Sequence, residues 1–152
     1  MSADPVRGSL RVTGLDHVVL NVADVERSLA FYLAVLGPLG VEELFRFPTY
    51  RGSEEVVYLG VGSGQALGFR PADGGAHRYY EVGIEHLAFV VDTREEVDET
   101  YARCLDLGVD VHFPPEEDRD LPGYWELFFF DPDGLRIEVA YYPPEATPGS
   151  AG

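Results

Sequence analysis

Apolar residues alternate with other types from position 17 to 22, where Val18, Leu20 and Val22 mark one face of a strand and His17, Val19 and Asn21 the other. The period then changes. Val25, Leu29, Tyr32, Leu33 and Leu36 follow i, i+4, i+7, i+8 and i+11, the stripe of an amphipathic helix. Asp24 stands where an N-cap is wanted, and Gly37 where a left-handed residue could end the helix. Three strand patterns follow, at 41–47, 55–61 and 65–70.

The whole series then recurs. Leu87, Phe89 and Val91 mark a strand, Thr93 an N-cap, and Val97, Tyr101, Cys104 and Leu105 a helix that Gly108 ends. Strands are predicted at 109–113, 124–130 and 135–141, and the turn Asp131-Pro132-Asp133-Gly134 makes the last two a hairpin. The recurrence also holds residue by residue. Gly14-Leu15-Asp16-His17-Val18-Val19-Leu20 returns 69 positions later as Gly83-Ile84-Glu85-His86-Leu87-Ala88-Phe89, and the same offset carries Tyr32 to Tyr101, Val35 to Cys104 and Leu36 to Leu105. The predicted fold class is α+β, with two βαβββ modules (about 12–71 and 83–142, linker 72–82) forming a curved, partly open half-barrel with helices outside. Together they make one domain over 9–142. Residues 1–8 and 143–152, polar or rich in Pro, Gly and Ala, are expected to be disordered tails.

Composition narrows the partners. A chain of 152 residues with 45% apolar content can bury a real core. A net charge of −16 repels phosphate backbones and anionic bilayers, so neither nucleic acid nor membrane is an expected partner. There is no Arg/Lys-led apolar leader and no long apolar run, and Cys104 has no partner for a disulfide, so a cytoplasmic location is expected.

The candidate chemistry lies on the face turned away from the helices. Strand parity puts His17, His86 and Glu138 on that concave side, since Leu135, Ile137 and Val139 take the helix side of the last strand. Two imidazoles and one carboxylate suit a divalent first-row metal and leave positions open for substrate or water. A buried Glu138 without a counter-charge would be costly, and a cation offsets that cost. In the competing arrangement each histidine bonds a backbone carbonyl and Glu138 pairs with Arg136 or reaches solvent. Two histidines at equivalent repeat positions, with a carboxylate on the same surface, favour the metal.

The stretches Leu15-Asp16-His17-Val18-Val19-Leu20, Ser28-Leu29-Ala30-Phe31-Tyr32, Leu36-Gly37, Gly83 to Phe89, and Phe130-Asp131-Pro132-Asp133-Gly134-Leu135-Arg136-Ile137-Glu138-Val139 resemble the vicinal oxygen chelate superfamily (glyoxalase, bleomycin resistance protein, extradiol dioxygenase) in order and spacing, over roughly 12–142. The resemblance implies metal ligands on the first and last strand of each module. His17, His86 and Glu138 match three such positions. The fourth falls in Gln65 to Arg70, where Gly68 stands in place of a ligand and Gln65 has the wrong parity unless a bulge re-aims it. A three-ligand set is similar to extradiol dioxygenases and fosfomycin-modifying enzymes rather than to the four-ligand isomerases.

The resulting expectation is a metal-dependent enzyme of lyase, isomerase or dioxygenase type. It would use Fe, Zn, Ni or Mn on a small oxygen-chelating substrate, with Glu138 and Tyr124 catalytic. Tyr124 would donate to a metal-bound oxyanion. Tyr124 and Trp125 at the pocket mouth, Arg70 on the concave parity and Gly68, which would widen the cup, are the expected substrate contacts. A homodimer is what the resemblance implies, because unpaired module edges are common in that superfamily. Two alternatives stand beside this reading. One is a non-catalytic protein of the same fold that sequesters an antibiotic or metabolite in the cleft, and the other is an inactive relative that keeps the ligand residues by descent.

Overall fold

The computed structural model describes residues 11–52 and 54–144, so both expected tails lie almost entirely outside the described residues. The first module consists of β1 (His17–Val22), α1 (Val25–Leu36), a 3-10 turn (Gly37–Leu39), β2 (Glu42–Pro48), β3 (Glu55–Val61) and β4 (Gln65–Pro71). The second repeats the order with β5 (His86–Val91), α2 (Arg94–Asp106), β6 (Val111–Glu117), β7 (Trp125–Phe130) and β8 (Arg136–Tyr141). Each module forms one open, mixed four-stranded sheet, ordered β1-β4-β3-β2 and β5-β8-β7-β6. In both, the first strand pairs in parallel with the last and the remaining pairings are antiparallel.

Both helices start as their sequences require. Asp24, in an extended conformation, accepts from the Arg27 amide at 3.0 Å. Thr93 forms a reciprocal capping box with Glu96, each side chain accepting from the other's backbone. The ends differ. Gly108 takes the expected left-handed conformation, but Gly37 stays right-handed and opens the 3-10 turn, and Gly40, at φ 94°, supplies the reversal. Pro38 explains the shift: its fixed φ extends the helical path by one tight turn before the chain can turn back.

β6 also departs from expectation. It begins at Val111 and runs through Pro114 and Pro115 to Glu117, instead of spanning 109–113. Prolines are tolerated there because β6 is an edge strand, and two register shifts along its pairing with β7 absorb the missing donors.

The helix-facing side chains of both sheets join one core that includes Leu20, Val22, Tyr32, Val35, Phe69, Cys104, Leu127, Phe129, Ile137 and Val139. The β7–β8 turn locks the modules together. Tyr32 of α1 donates to Asp131 Oδ2 at 2.8 Å, and Arg27 pairs with Asp133 at 2.8 Å. Asp131 also accepts from the amides of Asp133 and Leu135, which closes the turn on itself. Burial pushes the Asp131 carboxyl up, and these three hydrogen bonds pull part of the way back. Tyr32→Phe should therefore cost about 1–3 kcal/mol, because it strips one donor from a buried carboxylate. A denaturation midpoint unchanged from the parent protein would contradict this.

Candidate active site

The concave faces carry the polar chemistry. In the second module, His86 on β5 and Glu138 on β8 meet there, with His86 Nε2 3.0 Å from Glu138 Oε2. Glu138 is only 3% exposed. Its other oxygen accepts from the Tyr124 hydroxyl, which rises from the residue preceding β7. Burial first, and then the bond to Glu138, push the Tyr124 phenol well above its ordinary pKa, so Tyr124 acts here as a donor.

The other side of the His86 ring is held as well. Nδ1 faces the carboxylate of Glu85, the residue before it, and Arg136 bonds the other Glu85 oxygen. Burial raises Glu85, but the bonds from His86 and Arg136 outweigh it and hold the carboxyl down at about 2. The two carboxylates thus hold the ring at both nitrogens, and at 3.0 Å a proton or a cation must lie between Nε2 and Oε2. Phe128 stands edge-on to the ring, at 5.6 Å between centroids and 84° between planes.

The first module repeats this arrangement around His17. Asp16 Oδ2 lies 2.7 Å from His17 Nδ1, and Tyr58 stands edge-on at 5.8 Å and 79°. The strand registers match too. Val19 pairs with Gly68 and Tyr58 with Gly68, just as Ala88 and Phe128 both pair with Glu138. Gly68 therefore occupies the place of Glu138. It does not widen the cup as expected: a Cβ at Gly68 would lie 3.0 Å from the Tyr58 ring and 3.1 Å from Val19, so those side chains already fill the space.

The expected site residues are thus only partly assembled. His86, Glu138 and Tyr124 are in contact. His17 contacts Asp16 and Tyr58 instead, and among the described residues no group of three His, Cys, Asp or Glu side chains converges as a metal site. Arg70 does lie on the concave side of the first module, in a cavity with Val19, Asn21 and Tyr58. Trp125 does not reach the cleft. It has the parity of Leu127 and Phe129, both fully buried, and its indole N–H donates to Asp98 of α2 at 2.8 Å while Arg94 stacks on its ring. The two remaining histidines lie outside this cluster. His77 is half-buried between the modules, and the His112 ring stacks against Phe113 and Phe130.

Several residues not singled out from the sequence belong to these faces. Asp16 and Glu85 hold the histidines, and an acid preceding each histidine in both repeats was the available clue. Glu126 shares the concave parity of Tyr124 and Phe128. Burial first, then the charge of Glu138, push its carboxyl up to about 7. Phe45 and Phe47 reach the concave face of the first module because a bulge at Leu44 shifts the register of β2, which brings Phe45 opposite Tyr58.

The fold agrees with the comparison to known proteins. The model of the Glyoxalase/Bleomycin resistance protein/Dioxygenase superfamily matches residues 14–139, and the chain belongs to that family. It is 29% identical over 127 residues to the uncharacterized protein YwkD of Bacillus subtilis, covering 82% of this chain and 94% of that one. Among solved structures, a glyoxylase/bleomycin resistance protein/dioxygenase domain from Frankia sp. EAN1pec superposes with a TM-score of 0.74 at 26% identity, covering 88% of this chain and all of the other. The fosfomycin resistance protein FosX of Listeria monocytogenes, solved with Mn(II) and a sulfate ion, shares the fold at a TM-score of 0.66 and 24% identity, covering 90% and 98% of the two chains.

Proposed function

We propose that the protein is a metal-dependent enzyme acting on a small substrate with adjacent oxygens, and that His86, Glu138 and His17 are the metal ligands. The arrangement of His86 carries this reading. Its Nε2 lies 3.0 Å from Glu138 Oε2 while Nδ1 is tied to Glu85. Two ligands each about 2.1 Å from one ion, at right angles to each other, stand about 3 Å apart, so the pair already has the spacing a shared ion needs. A divalent ion held there would polarise the substrate oxygens and stabilise negative charge on them. The Mn(II) complex of FosX shows that a protein of this fold holds such an ion.

The third ligand comes, in this reading, from a second copy of the chain. His17 presents the same acid-held imidazole on the other module, away from His86 and Glu138. A symmetric dimer that apposes the first module of one chain to the second module of its partner would complete two equivalent sites. Within each, Tyr124 orients Glu138 by donating to it, Glu85 and Asp16 fix the histidine tautomers, and Phe128 and Tyr58 wedge the rings in place.

Metal-stripped protein titrated with Mn(II), Fe(II), Ni(II) and Zn(II) tests the proposal. The expected result is one tight site per chain for at least one ion, lost in His86→Ala. Absence of uptake for all four would overturn it. Sequestration without chemistry is the competing reading, favoured by the exposed aromatic face of the first module. Protein that takes up no metal but still binds a small aromatic molecule would bring that reading forward.

A further inference from the structure

The concave face of the first module has a composition that metal binding does not explain. Phe45 and Phe47 on β2 and Tyr58 on β3 form one ring cluster, with centroids 4.8 to 5.8 Å apart, and Phe45 and Phe47 are 43% and 51% exposed. Tyr50, in the β2–β3 turn, is 90% exposed. Aromatic rings normally sit in the core or on a partner, and exposed ones gathered on a concave wall are a ready surface for a flat molecule.

Arg70 gives this wall its polarity. It lies in a cavity of about 430 Å³ with Val19, Asn21, Phe47, Tyr50 and Tyr58. Arg46 and Arg136, the other arginines on strands, pair with carboxylates, but Arg70 has no carboxylate within ion-pair distance among the described residues. Its Nε is buried without an acceptor, and its guanidinium lies 5.6 Å from the centroid of the Tyr50 ring. Asp73, whose carboxylate feels the charge of Arg70, is paired with Arg51 at 2.7 Å rather than with Arg70. A buried guanidinium N–H without an acceptor carries a desolvation cost that a bound anion would remove. A carboxylate fits the guanidinium fork, and a ring attached to it would fall among the aromatic side chains.

We propose that this face binds a planar aromatic carboxylate, with Arg70 taking the carboxylate and Phe47, Tyr50 and Tyr58 flanking the ring. The inference deepens the proposed function by naming the substrate class of the same cleft, and it rests on that cleft being the active site. It requires no metal. Its failure and the failure of the metal reading are therefore separable.

The test is calorimetric titration of metal-free, full-length protein with 2-naphthoate, alongside 2-naphthalenemethanol and cyclohexanecarboxylate. Naphthoate should bind measurably, and each control, lacking either the charge or the aromatic ring, should bind at least about tenfold more weakly, the loss of one charge-assisted or stacking contact. Arg70→Leu should weaken naphthoate binding by a similar factor and leave the alcohol unchanged, and Arg70→Lys should recover part of the loss. Phe47→Ala should weaken both aromatic probes. Equal binding of acid and alcohol by the parent protein would overturn the assignment, even if Arg70→Leu failed to fold. Naphthoate binding unaffected in a folded Arg70→Leu, or no naphthoate binding while Mn(II) binds normally, would also overturn it while leaving the metal proposal intact.

Discussion

Glu138→Gln is expected to lower metal affinity by at least about a hundredfold, more than the 10–100-fold typical of losing a residue that merely supports a ligand. The substitution preserves shape. Glutamine can still accept from the Tyr124 hydroxyl and still face His86, so the local packing has no reason to collapse. Only the negative charge is lost. In the metal-free protein that charge is a burden, because Glu138 is almost fully buried and no lysine or arginine lies within ion-pair distance of it among the described residues. The metal-free variant should therefore lose little stability, since a buried carboxylate is made neutral while the bond from Tyr124 is kept. Metal content after dialysis and thermal melting with and without Mn(II) read the two effects together. A variant that loses stability yet keeps its metal would make Glu138 a structural residue and His86 its hydrogen-bond donor.

The second large effect concerns how the site is divided between chains. His17→Ala alone and His86→Ala alone should each abolish tight metal binding, because each removes one of three ligands. Mixed by co-expression or refolding, the two inactive variants should recover it. In a mixed dimer one site receives both substitutions, while the other receives intact His17 from one chain and intact His86 and Glu138 from the other. Random pairing makes about half the dimers mixed, so about a quarter of the parent's metal capacity should return. If the three ligands came from a single chain, mixing would recover nothing. A protein that is monomeric in solution, or a mixture with no recovered metal, ends the shared-site reading.

The sequence made the duplication and its element order legible because both are written in periodicity. Val18-Leu20-Val22 and Leu87-Phe89-Val91 have strand spacing, Tyr32 and Leu36 of the first helical stripe recur as Tyr101 and Leu105 of the second, although Leu105 is 56% exposed, and capping by Asp24 and Thr93 is local chemistry. Parity also put Glu138 and His86 on one surface. What parity could not reveal was which surfaces meet. His17 and His86 have the same orientation in their own modules, yet among the described residues His17 does not join His86 and Glu138 in one cluster, and nothing local in the sequence encodes how one module packs on the other. The placement of Trp125 failed for a related reason. An aromatic at a strand start was assigned to the pocket mouth, whereas alternation with the core residues Leu127 and Phe129 turns it under α2. Gly68 was correctly matched with Glu138, but its neighbour across the strand, Tyr58, decides what the missing side chain means. Phe45 and Phe47 were hidden by a bulge, which changes the parity of a strand without changing its composition.

The latch made by Tyr32, Arg27, Asp131 and Asp133 has a further consequence if each site draws on two chains. Every chain then belongs to two sites at once, His17 to one and His86 with Glu138 to the other. The hydrogen bonds between α1 and the β7–β8 turn, with that from Arg103 of α2 to the Val35 carbonyl, then lie on the rigid path from one reaction centre to the next. Any influence of one centre on its neighbour would have to cross these contacts, and comparing metal titrations of the parent protein and Tyr32→Phe would read it.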